Sequence, residues 1–113
     1  MHEMSLCEEV LQVIEAEART QQFLRVRRVR LEVGALACVE PEAMRFSFDA
    51  VTRGTLAQGA DLEIILVAGQ AWCLTCACAV AVSQRYEDCP DCGSVLLRLT
   101  RGEELRIKNL EVE

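Results

Sequence analysis

The sequence has one histidine and no surplus of positive charge, with 12 Lys and Arg against 18 Asp and Glu, a net charge of -6 and a pI near 4.8. Phosphate backbones are held by clustered cations, so nucleic acid is not an expected partner. With a single histidine and no nucleophile–base pair in view, an enzyme is not expected either. The opening MHEMSLCEEV has neither a basic leader region nor a long apolar one. It does not read as a secretory signal, and a cytoplasmic protein is expected. Internal repeats, low-complexity tracts and long linkers are also missing.

One run lacks charge altogether. Ile64 to Gln84 (IILVAGQAWCLTCACAVAVSQ) is long and apolar enough to cross a bilayer by hydropathy alone. Yet Cys73 and Cys76 inside it pair naturally with Cys89 and Cys92 just beyond, and thiols held in mid-bilayer could not share an ion with that polar segment. Two short buried strands flanking a knuckle explain the same composition, and no membrane insertion is expected.

What is present is enough apolar material, 51% of 113 residues, for one compact body with a core. A small lobe carved from a chain of this size needs a metal or disulfide to hold it. The four arginines Arg25, Arg27, Arg28 and Arg30 overlap the Val29, Leu31, Val33 alternation and read as charges guarding the solvent side of a strand.

Ser5 and Glu8 form a candidate capping box, and Leu6, Val10, Ile14 and Ala18 recur four apart. This predicts a helix over about Leu6 to Thr20, leaving the first five residues as a free arm. Arg28 to Val33 reads as a half-buried strand ending at Gly34. Pro41 to Arg53 reads as a second helix, with Pro in its first turn, Gly54 closing it and Met44, Phe48 and Val51 as the core stripe. Asp61 to Val67 and Leu105 to Val112 read as further strands. The expected fold class is α+β, with two helices packed on a three-stranded sheet and a zinc-ribbon lobe inserted. Residues 1–70, completed by 100–113, form the α/β lobe, and 71–99 form the ribbon.

The strongest motif is Cys73-x-x-Cys76, twelve intervening residues, then Cys89-Pro-Asp-Cys92-Gly. Each CxxC turn directs two sulfurs and nearby N–H groups to one point, so two such turns place four thiolates around a tetrahedral ion. Two disulfides fit poorly in a reducing compartment, and a thioredoxin-like redox pair requires only one CxxC. Four thiolates also suit a rubredoxin-like iron. With no open position, a zinc ion here is structural and not catalytic. Cys78 is a fifth thiol beside the site, read either as a packed strand residue or as an alternative ligand or redox-sensitive neighbour.

Met1-His2-Glu3 holds the lone histidine. The terminal amine, the backbone nitrogen of His2 and its imidazole can close adjacent chelate rings, a planar nitrogen set suited to nickel(II) or copper(II), with Glu3 completing it. A histidine after Met1 also reads as part of a non-ligating arm. Capture must displace protons from an amine of pKa about 7.7–8.0 and an imidazole near 6.5, so binding weakens as pH falls through that window. Cys7 and Cys38 read as small buried thiols outside the ligand set.

Taken together, MHEMSL, VRLEVG, VEPEAMRFSFDAVTRGT and the CLTC and CPDCG knuckles resemble the hydrogenase maturation nickel chaperones, the HypA/HybF family, over essentially the full length. The resemblance implies nickel(2+) as cargo at His2 and the N-terminal amine, with Glu3 and Glu40 in its neighbourhood. It also implies structural zinc(2+) at Cys73, Cys76, Cys89 and Cys92. The implied partners are a nickel-loading maturation GTPase and the hydrogenase large-subunit precursor, with the chain a monomer or weak dimer. Two other readings stand beside it: a zinc-ribbon interaction module without nickel, and a rubredoxin-like iron electron carrier.

Overall fold

A computed structural model describes residues 3–113. The elements run α1 (Glu3–Gln21), β1 (Val26–Gly34), α2 (Pro41–Val51), β2 (Asp61–Val67), β3 (Gln70–Cys73), β4 (Cys78–Ala81), β5 (Leu97–Arg101) and β6 (Leu105–Val112). They divide into two compact units. One holds residues up to Leu31 with Val39–Ile65 and Arg106–Glu113; the other holds Glu32–Cys38 and Leu66–Leu105.

In the first unit, α1 buries Leu6, Cys7, Val10, Leu11 and Ile14, spaced to form one helical stripe. The helix begins earlier than its capping box predicts. Glu3, Met4 and Ser5 belong to α1 and are not a free arm, and Ser5 lies inside the helix instead of capping it. Glu3 in the first turn and Arg19 in the last both complement the helix dipole, which offsets the absent Ser5 cap.

Helix α2 is closer to expectation. Glu40 is its N-cap, with its carboxylate accepting the Ala43 N–H at 2.7 Å, and Pro41 occupies the first turn. Met44 and Phe48 are buried, while Val51 is half-buried. The last turn closes on Thr52, whose hydroxyl donates to the Phe48 carbonyl at 2.8 Å. α1 packs on α2 through the buried Cys7 and Met44, whose sulfur atoms lie 3.7 Å apart.

The sheet of strands β1, β2 and β6 has β1 in the middle, in the order β2-β1-β6. Arg28 meets Asp61 and Arg30 meets Glu63, while the Ala35 N–H bonds to the Val67 carbonyl, so β1 and β2 advance together and run parallel. A parallel neighbour needs a long crossover, which the segment carrying α2 supplies. Arg25 pairs with Glu113 and Gly34 with Glu104, so β6 returns antiparallel on the other side.

Of the four arginines, Arg25 precedes β1, while Arg28 and Arg30 alternate with the buried Val29, Leu31 and Val33 and bridge the sheet. Arg28 reaches Asp61 and Glu111, and Arg30 reaches Glu63, Glu111 and Asn109. Exposed pairs of this kind contribute about 0–1 kcal/mol each, and their shared arrangement fixes register more than it stabilises.

The second unit contains the other three-stranded sheet, ordered β4-β3-β5, with β3 antiparallel to both neighbours. Its core is Leu36, Ala71, Cys73, Val80, Val82 and Cys89. Much of the uncharged run thus becomes β3 and β4, and no described helix is long and apolar enough to cross a membrane. Backbones approach closely here: a Cβ on Gly34 would lie 2.0 Å from the Gly102 carbonyl oxygen, and one on Gly69 would lie 2.4 Å from the Val82 carbonyl oxygen. Neither position has room for a side chain.

Candidate metal centre

The first knuckle follows β3. Cys73 is its last residue, and the chain turns through residues 74–77, with the Ala77 N–H bonding back to the Cys73 carbonyl at 2.8 Å. Ala77 takes a positive φ of 54° to close the turn. The Cys76 N–H points at the Cys73 sulfur, 3.3 Å away. In the second knuckle the Gly93 N–H bonds to the Cys89 carbonyl at 2.8 Å, with Gly93 at φ 76°, the left-handed conformation that glycine adopts freely.

These turns bring four sulfur atoms within 4.8 Å of one another: Cys73, Cys76, Cys89 and Cys92. The cross-knuckle pairs Cys73–Cys92 and Cys76–Cys89 are 3.7 and 3.9 Å apart. A tetrahedral ion with four bonds of about 2.3 Å requires sulfur–sulfur edges of about 3.8 Å. The cage therefore has the right size for a zinc-sized ion, and all seven cysteines are free thiols. Cys73 and Cys89 are buried, Cys76 is half-buried and Cys92 is exposed, so the ion position lies at the edge of the second unit's core.

The thiols influence one another. The Cys76 N–H, assisted by the neighbouring sulfurs, draws the Cys73 thiol down to about 7, while bonding to Cys92 and Cys73 pushes Cys76 well above the usual thiol range. One thiolate thus forms readily and suppresses the next. A full set of four thiolates requires a cation to offset their mutual repulsion.

Two residues that sequence reasoning did not single out join the knuckles. Thr75 donates its hydroxyl to the Ser94 hydroxyl oxygen at 2.9 Å, and the Ser94 carbonyl accepts the Cys89 N–H at 2.8 Å. The Leu74 N–H also bonds to the Leu96 carbonyl at 3.0 Å. The one signal for them was position: Thr75 precedes the ligand Cys76, and Ser94 follows the CPDCG turn. Cys78 lies outside the four-sulfur group, on β4 and packed against the core cluster.

At the other candidate site, Met1 and His2 lie outside the described residues. Glu3 and Glu40 are brought together: the Glu40 N–H donates to the Glu3 carboxylate at 3.3 Å. Glu40's own carboxylate is the α2 cap. Cys7 is buried as expected, and burial, reinforced by the charge of Glu3, raises its thiol to about 11. Cys38 is exposed, contrary to expectation. It sits at φ 58° in the segment between β1 and α2.

Comparison with known proteins agrees with this geometry. Residues 1–112 match the family described as "Hydrogenase/urease nickel incorporation, metallochaperone, hypA". The chain is 60% identical over 113 residues to a hydrogenase maturation factor HypA from Acidithiobacillus ferrooxidans, covering 100% of both. It is 62% identical over the same span to a HypA from Alkalilimnicola ehrlichii, again covering 100% of both. The fold is similar to the solution structure of the Ni metallochaperone HypA from Helicobacter pylori, with a TM-score of 0.74 at 23% identity, over 99% of this chain and 97% of that one. The chain belongs to the HypA family of metallochaperones for hydrogenase and urease nickel incorporation.

Proposed function

We propose that the chain binds nickel(II) through the Met1 amine, the backbone nitrogen and imidazole of His2, and Glu3, and delivers it during maturation of a nickel-iron hydrogenase. The observation that carries this reading is the contact between Glu3 and the Glu40 N–H. It anchors the residue next to the lone histidine against a second structural element. Glu3 lies in the first turn of α1, directly after His2 in the chain, and in this reading it completes the donor set that His2 begins. Glu40 supports the site as a neighbouring acid and as the cap that fixes the start of α2. The cargo site uses nitrogen and oxygen donors and the cage uses four soft sulfurs, which keeps a delivered ion apart from a retained one.

The four-cysteine cage holds zinc in this reading. The residues fit it in donor type and spacing, and the ion supplies folding energy to a unit whose core includes two of the ligands. Partner surfaces serve a nickel-loading GTPase and the hydrogenase large-subunit precursor, within the cytoplasm. The test compares untagged protein with protein extended before Met1. The extension converts the chelating amine to an amide, so nickel affinity measured by titration falls at least tenfold while zinc content stays at one per chain. Equal nickel affinity in the two proteins would sink the chelate. Coloured, redox-active protein with iron in the cage would reject zinc.

A further inference from the structure

The Cys78 thiol is not needed by a four-sulfur site, yet the strand register sets it directly against a ligand. In the antiparallel pairing of β3 with β4, Cys73 stands opposite Cys78. Opposed residues in such a ladder have Cα atoms about 4.5–5.5 Å apart and side chains on the same face. A disulfide needs Cα atoms about 4.4–6.8 Å apart, a range that directly opposed antiparallel partners fall within. Cys78 is half-buried, in contrast to the fully buried Cys7, and packs beside the cage without belonging to it.

We propose that Cys78 and Cys73 form an oxidation site that opens the metal cage when the protein meets hydrogen peroxide. The proposal rests on the zinc reading above. The four ligand sulfurs are held by the ion in this reading, whereas Cys78 stands beside the cage outside the ligand set and opposite Cys73, so its sulfur is the one free to take up the oxidant. Its thiolate attacks one peroxide oxygen, and the O–O bond breaks. Cys78 becomes a sulfenic acid, and the displaced hydroxide takes up a proton to leave as water. The Cys73 sulfur then attacks the Cys78 sulfur. An S–S bond forms, the S–O bond breaks, and the released hydroxide takes a proton from solvent to leave as a second water. The two sulfurs have together given up two electrons and the peroxide has accepted them. Having lost one of its four ligands, the ion is left in a weakened site and dissociates. A dithiol reductant restores both thiols and lets zinc return.

The experiment uses full-length, untagged protein whose zinc is first counted by elemental analysis. Zinc release under hydrogen peroxide is followed with a chromogenic chelator, and the products are mapped by mass spectrometry of alkylated digests. Wild type is expected to release zinc reversibly and to yield a peptide linking Cys73 with Cys78. Cys78→Ser and Cys78→Ala retain one zinc per chain but release it at least roughly tenfold more slowly, because Cys73 has lost the sulfur opposite it with which to form the disulfide. Cys38→Ser, which removes the exposed thiol outside the cage, behaves as wild type. Equal release rates in wild type and both Cys78 variants, or linked peptides confined to the four ligands, would overturn the proposal. A preparation with no zinc before oxidation would instead refute the zinc reading on which it stands.

Discussion

Replacing Glu40 by alanine separates the structural work of this residue from nickel binding. The substitution removes the acceptor of the Ala43 N–H, a bond of 2.7 Å at the α2 N-cap. Losing such a cap costs about 1 kcal/mol, within a range of about 0.5–2. For a chain of 113 residues unfolding as one transition, that corresponds to a fall of about 4 °C in Tm. Glu40→Gln keeps a carbonyl oxygen in the same place and loses only the charge–dipole part, about 0.3–1 kcal/mol. The contact to Glu3 comes from the backbone N–H of residue 40, so both variants retain it. Thermal melts followed by circular dichroism should therefore rank wild type, Gln and Ala in that order. Nickel titrations should show less than a tenfold loss of affinity in either variant. Unchanged melting in Glu40→Ala together with a loss of nickel affinity of tenfold or more would show that the carboxylate is a ligand and that the capping argument is wrong.

Three further outcomes follow from the geometry. Gly34→Ala drives a Cβ to 2.0 Å from a backbone oxygen that cannot rotate away, so it should lower stability by at least the 1–3 kcal/mol typical of overpacking, read from the denaturant midpoint. Cys7 has its thiol raised from 9.0 to about 11 by burial, so the folded state favours the neutral form. The stability this contributes is complete below pH 9 and is lost as pH rises through about 11; urea midpoints should fall across that window in wild type and less so in Cys7→Ala. Stripping zinc with a chelator should expose the amides of β3, β4 and β5 to hydrogen exchange, because Cys73 and Cys89 belong to both the cage and the core around it.

The cage, the strands β1, β2 and β6 and the start of α2 were legible because their signals are local: CxxC spacing, alternation, and Pro41 in a first helical turn, although α2 ends at Val51 on a Thr52 cap and not at Gly54. The start of α1 was misread for a related reason. Ser5 and Glu8 satisfy the capping-box pattern, but Leu6, Cys7 and Val10 are buried on a stripe that runs through a helix already formed at Glu3, and packing outweighs a cap worth about 1 kcal/mol. Cys38 was misplaced because small thiols are usually buried, and nothing in its neighbours announces a left-handed turn. The strand β5 and its pairing with β3 carry no short-range mark, since register between distant segments depends on contacts that no window of sequence contains. The bridging arginines were recognised as strand guards, but their partners Glu63, Asn109 and Glu111 lie 33 or more residues away and become visible only when the sheet is assembled.

The central claim is that His2, with the free amine before it, is the cargo site. Calorimetric titration of untagged, zinc-loaded protein with nickel tests it most directly, comparing wild type with His2→Ala. The account predicts one nickel per chain in wild type, binding that weakens as pH falls through the range of about 8 to 6.5, and loss of stoichiometric binding in the variant. One nickel per chain at unchanged affinity in His2→Ala would contradict it.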